Sequence, residues 1–172
     1  SNPNVNDFSY NIMIQALRNT DNRIKNNQSV TPGFLLAALL WPTLISRCLK
    51  NNEINIRKFF RSMDGVLREQ QKLTAVPRKF NSYIKDIWVL QLKLHSRIKS
   101  QPYKTIRHPR FRAAYDFLLV REKATSDKNG LGKWWTDFQK NDDSLRGSLI
   151  ARMNEKSDED SSKIFGFYNE LR

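Results

Sequence analysis

RHPRFRAAYDFLLVR, at residues 107–121, is the stretch of this chain that predicts its fold most directly. Pro109 suits the first turn of a helix, where its missing N–H group leaves no hydrogen bond unmade. The apolar residues of the stretch recur with helical spacing and form one face: Phe111, Ala114, Tyr115, Leu118 and Leu119. We expect a helix that packs by this face against the rest of the domain.

Arginines lie along the edges of that predicted apolar face. At about 100° per residue, Arg110 and Arg121 fall on one edge and Arg112 falls on the other. The N-terminus of the helix is positively polarised, so this end of the helix favours phosphate binding. An i, i+4 ion pair of Arg112 with Asp116 would use one of these arginines within the protein.

The charge of the chain predicts a polyanionic partner. Its 172 residues include 30 Lys and Arg against 17 Asp and Glu, a formal net charge of +13. Residues 76–123 hold 12 basic and three acidic side chains, whereas residues 153–172 hold three and five. Nucleic acid or an anionic membrane surface suits such a chain, and its middle carries most of the charge.

The distribution of apolar residues predicts an all-α fold. The chain has six glycines and little of the alternation that is typical of strands. We expect one compact body of about seven or eight helices, placed at 8–18, 32–49, 55–70, 77–99, 109–123, 130–140, 144–154 and 160–171. We expect its core to include Phe34, Leu39, Trp88, Tyr115, Leu118 and Trp134.

The segment that begins at Pro32 is apolar nearly all round, which is typical of a buried central helix. Pro42 should kink or end this helix. The longest apolar run, residues 33–45, is too short to cross a bilayer, so we expect no membrane span. Cys48 is the single cysteine, which excludes an intramolecular disulfide and suits a cytoplasmic protein.

Basic side chains are the candidate binding residues. Lysines would act as point charges and arginines as bidentate donors along a groove that follows phosphates, while the alternative for each is a solvated helix surface. His108 either caps a helix or contacts phosphate. The candidate RNA-binding residues are Arg78, Lys79, Lys85, Lys93, Arg97, Arg107, His108, Arg110 and Arg112.

The remaining residue types indicate packing rather than chemistry. The aromatic residues of 131–138 have the helical spacing of a core stripe, and Tyr103, beside Pro102 in a predicted break, is the best candidate for an exposed ring. His95, His108 and Cys48 lack the paired spacing of zinc ligands, so we expect no metal site.

Four blocks of this sequence resemble, in family order, the C-terminal body of bacterial poly(A) polymerases. Together they extend from about residue 17 to residue 140, most of the chain. The blocks are NTDxRI at 19–24 with PxFL at 32–35, VPRK at 76–79, KDIWxLQL at 85–92, and HPRFRAAYDFLL at 108–119 with KWWxxFQ at 133–139.

The resemblance implies a parent enzyme that adds adenylates from ATP to RNA 3′ ends with Mg²⁺. Its catalytic head carries a Gly-Ser pair followed by Asp-x-Asp on a strand. The acidic residues at 142–143 and 158–160 lack that context, so we expect no catalytic residues and no cofactor here. The implied task is to hold single-stranded 3′ regions of RNA for a head in cis, in the cytoplasm, with the RNA-decay machinery as a further partner.

The same resemblance implies three segments. Residues 1–30 are the end of a neck-like helical segment, residues 31–140 are the body with its basic surface, and residues 141–172 are a helical and polar tail. A role for residues 19–23 in nucleotide contacts is a further expectation, and Asp21 could instead pair with a cation or cap a turn. The family's region is named for an arginine-rich C-terminus, whereas this chain is acidic over residues 158–172.

Two other functions stay open from the sequence. One is the body of a tRNA CCA-adding enzyme, although the HPRFR and KWW blocks favour poly(A) polymerase. The other is a non-catalytic helical module for RNA binding or assembly. A DNA-binding helical protein is a third class, but the chain has no convincing helix-turn-helix signature.

Overall fold

A computed structural model describes residues 3–49, 56–74, 77–125, 130–140 and 142–156. Every regular element in these ranges is an α-helix, which confirms the predicted all-α fold. The helices are α1 (Pro3–Lys25), α2 (Pro32–Leu49), α3 (Ile56–Leu73), α4 (Phe80–His95), α5 (Gln101–Ile106), α6 (Phe111–Thr125), α7 (Leu131–Gln139) and α8 (Asp143–Lys156).

Prolines mark three of the helix starts, as the sequence predicts. Pro32 is the first residue of α2. Pro77 and Pro109 lie in tight turns that lead into α4 and α6. In these turns the Phe80 N–H donates to the Pro77 carbonyl at 3.1 Å and the Phe111 N–H to the His108 carbonyl at 2.9 Å. Such short-range turns are common at helix N-termini, and they shift the assigned starts by two or three residues.

The predicted long helix at 77–99 is wrong in its length. It ends at His95, and the short helix α5 follows after residues 96–100. Pro102 lies in the first turn of α5, where its missing N–H group costs no hydrogen bond. The chain therefore does break before Pro102, but the same proline also begins a helix that the sequence did not suggest. The helix predicted at 160–171 lies outside the described residues.

The apolar helix α2 is the centre of the N-terminal half. It continues through Pro42 to Leu49, so the prediction that Pro42 could end it is wrong. Leu39 is 51% exposed, which contradicts its predicted place in the core. Leu39 and Thr43 are one turn apart and form a solvent-facing stripe. The remaining faces are covered by neighbouring helices, which include α1, α3 and α4.

Among the described residues, α2 is the one helix that is long and apolar enough to cross a membrane. The helix has the 18 residues predicted at 32–49, so it extends beyond the 13-residue apolar run. More than half of that segment is buried within the protein. Packing inside the domain accounts for its apolar composition.

Helix α6 lies between two hydrophobic clusters. One cluster is formed by α1 to α4 together with Phe117 and Val120 of α6. The other contains Phe111, Tyr115 and Leu118 of α6 with residues of α4, α7 and α8. The sequence predicted one buried face of α6, but the helix is buried on two, because clusters lie on both sides of it.

Side-chain hydrogen bonds join α4 to its neighbours inside the two clusters. The buried Gln91 amide donates to the Ala114 carbonyl of α6 at 3.1 Å. The indole N–H of Trp88 donates to the Ala37 carbonyl at 3.1 Å, and that of Trp135 donates to the Leu94 carbonyl at 2.8 Å. These bonds satisfy polar atoms that would be costly to bury alone, and they fix how the helices carrying the basic residues are oriented.

Candidate nucleic-acid interface

The turn before α4 presents the first two candidate cations. Arg78 and Lys79 are exposed, and the turn is held by the bond from the Phe80 N–H to the Pro77 carbonyl. The Lys79 ammonium lies 5.3 Å from the centre of the Phe80 ring. Both charges therefore face solvent at the start of a helix, where backbone N–H groups also favour anions.

Two predicted lysines of α4 differ in their surroundings. Lys85 pairs with Asp64 of α3, with 2.7 Å between the Nζ and Oδ1 atoms. Lys93 is exposed and has no carboxylate partner among the described residues. Of the two, Lys93 is the one whose charge is not offset by a carboxylate.

Arg97 lies past the end of α4, so it is not one helical turn from Lys93, where the helix predicted at 77–99 would place it. Its guanidinium group is 5.8 Å from the centre of the Trp134 ring. Burial lowers the pKa of Arg97, and its Nε atom is buried without a hydrogen-bond acceptor in the described part of the chain. Arg97 is therefore more buried than an arginine that binds phosphate at a solvated surface normally is.

The turn before α6 holds the next three candidates. His108 Nδ1 accepts a hydrogen bond from the Arg110 backbone N–H at 3.1 Å, so His108 caps the helix, one of the two roles predicted for it. Arg107 and Arg110 are exposed on either side of this cap. The cap fixes the backbone that carries both arginines.

Arg110 and Arg112 have different partners at the start of α6. The Arg110 guanidinium lies 4.9 Å from the centre of the Tyr83 ring of α4. The predicted pair of Arg112 with Asp116 is present, with 3.3 Å from Nε to Oδ1. Burial raises the pKa of Asp116 even though Arg112 and Arg23 oppose that shift. Arg112 is thus partly committed to the protein, whereas Arg110 keeps its donors for other acceptors.

A cleft of roughly 190 Å³ opens beside these two arginines. We call it the α1–α6 cleft, since the end of α1 and the start of α6 form most of its wall. Arg23 of α1 lines it and pairs with Asp116 at 3.1 Å. The lining residues are Asn19, Thr20, Arg23, Ser29, Val30, Thr31, Phe34, Tyr83, Pro109, Arg110, Arg112, Ala113 and Asp116.

Comparison with known proteins places this chain in a family. Residues 51–164 match the family model described as the arginine-rich C-terminus of polymerase A. The chain belongs to this poly(A) polymerase family. Poly(A) polymerase I of Escherichia coli O6:H1 is 37% identical over 134 residues, and that of Salmonella typhi is 36% identical over 134. Poly(A) polymerase I of Haemophilus influenzae is 34% identical over 148 residues.

These alignments cover most of this chain and a minor part of the relatives. The E. coli and Salmonella alignments span 74% of the chain and 29% of each relative. The H. influenzae alignment spans 83% of the chain and 33% of the relative. The chain therefore spans about a third of the length of the poly(A) polymerases that it matches.

The aromatic residues of this poly(A) polymerase region are mostly committed to packing. Trp134 and Trp135 are buried, as predicted from their spacing. Tyr103 packs edge-on against Phe138 with ring centres 5.3 Å apart, so the prediction of an exposed ring there is wrong. Among the tyrosines that the structure describes, Tyr10 of α1 is the exposed one, at 68%.

Two residues that line the cleft are missing from the predicted RNA-binding residues, although both lie in the NTDxRI block. Asn19 and Arg23 line the cleft, and the intervening Asp21 is exposed outside its lining. The signal that could have found them is spacing, because Asn19 and Arg23 are one turn apart on α1. Across the described residues, no three His, Cys, Asp or Glu side chains come together in a group that could hold a metal ion.

Proposed function

We propose that this chain is the RNA-binding part of a bacterial poly(A) polymerase, which holds RNA for adenylate addition at the 3′ end. The supporting observation is a set of exposed cations with no carboxylate partner among the described residues. Most of them surround the start of α4 or α6, and their charge is available to neutralise phosphates. Among the nine predicted RNA-binding residues, the members of this set are Arg78, Lys79, Lys93, Arg107 and Arg110.

Family membership supports the same proposal, because the relatives are poly(A) polymerases I. The proposal extends to a nucleotidyltransferase head in cis that uses ATP and Mg²⁺, a cytoplasmic location, and tails that the RNA-decay machinery consumes. The 172-residue chain, incubated with ATP, Mg²⁺ and a labelled oligonucleotide, should extend no RNA. Tail growth that persists through purification would contradict this division of labour.

Salt dependence tests the RNA-binding step. If about four to six phosphates are neutralised, log K for a single-stranded oligonucleotide should fall with log salt at a slope of roughly −3 to −4. Affinity should then fall about 50- to 300-fold between 50 and 200 mM salt, with little dependence on sequence. A slope near zero would show that the basic residues are only solvated charge.

A pair of lysine variants separates a defined surface from net charge. Lys93→Ala should reduce the steepness of the slope by about 0.7, the contribution of one phosphate on a single strand. Lys133→Ala removes the same charge from an exposed side chain that already pairs with Asp137 at 2.9 Å, and it should leave the slope unchanged. Equal effects of the two substitutions would mean that RNA senses net charge and no particular face.

A further inference from the structure

The α1–α6 cleft holds more cationic charge than its own carboxylate offsets. Arg23, Arg110 and Arg112 line it with a single carboxylate, Asp116. Asp116 pairs with Arg23 at 3.1 Å and with Arg112 at 3.3 Å. Arg110 has no carboxylate partner among the described residues. The cleft therefore presents an excess of guanidinium donors to whatever occupies it.

Two of these guanidinium groups are held in place by contacts inside the protein. The Arg23 Nε donates to the Ser29 carbonyl at 2.8 Å, which adds to its ion pair. Arg110 lies over the Tyr83 ring at 4.9 Å. Because these guanidinium groups are ordered beforehand, they lose less side-chain entropy when a ligand binds.

Gly33 allows the Tyr83 ring to pack directly against the backbone of α2. A Cβ atom at residue 33 would lie 2.7 Å from the Tyr83 Cδ1 atom, closer than carbon atoms approach. The ring is thus held against the backbone of α2 and covered by the Arg110 guanidinium. A nucleobase has little of the ring left to stack on, so the cleft does not favour a base as its ligand.

Asn19 supplies a neutral donor without a use inside the protein. Its Nδ2 atom is buried, and no acceptor lies within hydrogen-bond distance in the described part of the chain. Buried donors are normally paired, and an unpaired one in a cleft indicates an acceptor that a ligand would bring. Asn19 lines the same cleft as Arg23 and Arg110.

The size of the cleft suits a small anion. Its volume of roughly 190 Å³ lies below the roughly 300 Å³ at which pockets for drug-sized ligands begin. A phosphate group carries several acceptor oxygens, which match the forked donors of arginine and a single amide N–H. A bulkier or uncharged ligand would leave these donors unpaired.

We propose that the α1–α6 cleft binds one phosphate group, with Arg110, Arg23 and Asn19 as its donors. The identification of that phosphate as part of RNA rests on the proposed function. Asp116 is a positioning residue, because it orients Arg23 and Arg112 through its two ion pairs. The phosphate is either an internal phosphodiester or a 5′-terminal phosphate of the RNA, and the two share the same recognition chemistry.

Nuclear magnetic resonance on the 172-residue chain tests this site directly. The side-chain amide of Asn19 and the Nε–H of Arg110 should shift when the chain is titrated with inorganic phosphate. They should also shift with a single-stranded oligonucleotide bearing a 5′-hydroxyl or a 5′-phosphate. Equal affinities for the two oligonucleotides assign an internal phosphodiester, and an affinity about ten-fold tighter for the 5′-phosphate assigns a terminal one.

Variants decide whether the shifts report the cleft. Asn19→Asp keeps the size of the side chain but places a second carboxylate beside the ligand, so phosphate binding should weaken about ten-fold or more. Arg110→Ala removes an exposed side chain, so it should fold, and the Asn19 side-chain amide should then no longer shift with phosphate. Arg152→Ala, which changes an exposed arginine of α8 outside the cleft, is the matched control and should change nothing.

The two proposals fail in different ways. If RNA binds with a steep salt slope while the Asn19 and Arg110 signals stay unmoved, the cleft assignment is wrong and RNA binding by the surface stands. The cleft assignment is also wrong if Asn19→Asp and Arg110→Ala bind phosphate like the unaltered chain. If inorganic phosphate shifts both signals but no oligonucleotide binds, the phosphate site stands and the RNA function is wrong.

Discussion

The two ends of α6 carry arginines that look equivalent in the sequence and differ in the structure. Arg110 and Arg121 are about three turns apart and about 20° apart around the helix. Both lie over an aromatic ring, at 4.9 Å from Tyr83 for Arg110 and 4.8 Å from Trp41 for Arg121. Arg110 is exposed, whereas only 4% of Arg121 is accessible.

Internal acceptors account for the difference between the two ends. Arg121 donates to the Gln91 Oε1 atom at 2.9 Å inside the protein. Arg110 makes its ring contact and keeps its donors in the α1–α6 cleft. An arginine on an apolar helix is therefore structural where a buried acceptor binds its guanidinium group. It is available for ligands where its guanidinium group lies in a cleft. Helical spacing alone does not distinguish the two situations.

The largest expected effect is a difference in stability between variants of the two arginines. Arg121→Ala should lower the free energy of unfolding by about 2–4 kcal/mol, because it leaves the buried Gln91 oxygen without its donor and removes the side chain that packs on Trp41. Arg110→Ala should change the same free energy by less than about 0.5 kcal/mol. Urea denaturation of both variants at one pH measures the contrast, and equal losses would show that Arg110 is structural too.

The Arg121 end of α6 should also be acid-sensitive. Burial, with help from Arg121 and Arg97, lowers the pKa of His95 to about 3 from an ordinary 6.5. His95 of the unfolded chain takes up a proton near pH 6.5, whereas His95 of the folded chain stays neutral until about pH 3. Stability should therefore fall as the pH falls. Between about pH 6.5 and pH 5 the loss should be about 2 kcal/mol, which urea denaturation at the two pH values measures.

His95→Gln provides the control for that acid sensitivity. The substitution removes the titrating group, so urea midpoints should vary less over the same pH interval than they do for the unaltered chain. The same variant should not alter the contribution of Arg110 to RNA binding. An unchanged pH dependence in His95→Gln would assign the acid sensitivity to other groups.

At the Arg110 end, the expected effect is on RNA rather than on stability. Arg110→Ala should weaken binding to all single-stranded oligonucleotides about five-fold near 100 mM salt, which corresponds to about 1 kcal/mol. Arg110→Lys should recover part of this loss, because the charge returns without the planar fork. Fluorescence anisotropy with two unrelated oligonucleotides measures it, and a loss confined to one of them would indicate sequence recognition instead.

The smallest expected effect belongs to Arg112, one helical edge away from Arg110. Arg112→Ala should weaken RNA binding by only about two-fold, since Asp116 already holds its Nε atom. The same anisotropy measurement ranks the two variants side by side. If Arg112→Ala weakened binding more than Arg110→Ala, the internal ion pair would not decide which arginine is available.

Local patterns in the sequence predicted most of the fold. The stripe of α6, the buried Trp88 and Trp134, and the proline at the start of α2 all follow from spacing and from backbone chemistry. Leu39 was misplaced because an apolar residue on an apolar helix carries no sign of which face stays uncovered. That information lies in the arrangement of neighbouring helices, which the spacing of a single helix does not contain.

The candidate site was predictable in part for the same reason. The pair of Arg112 with Asp116 and the cap by His108 are local, and both were predicted. The pairs of Lys85 with Asp64 and of Arg23 with Asp116 join different helices, so local spacing holds no sign of them. The RNA-binding role of the nine predicted residues stays a prediction.

The double burial of α6 has a consequence for how this domain comes apart. Residues on both sides of the helix are buried, so neither hydrophobic cluster can open without exposing apolar surface of the other. The two halves of the protein should therefore unfold in a single cooperative transition, with the central amides of α6 among the slowest to exchange with solvent. The cleft at one end of α6 is thus built on one of the most persistent parts of the chain.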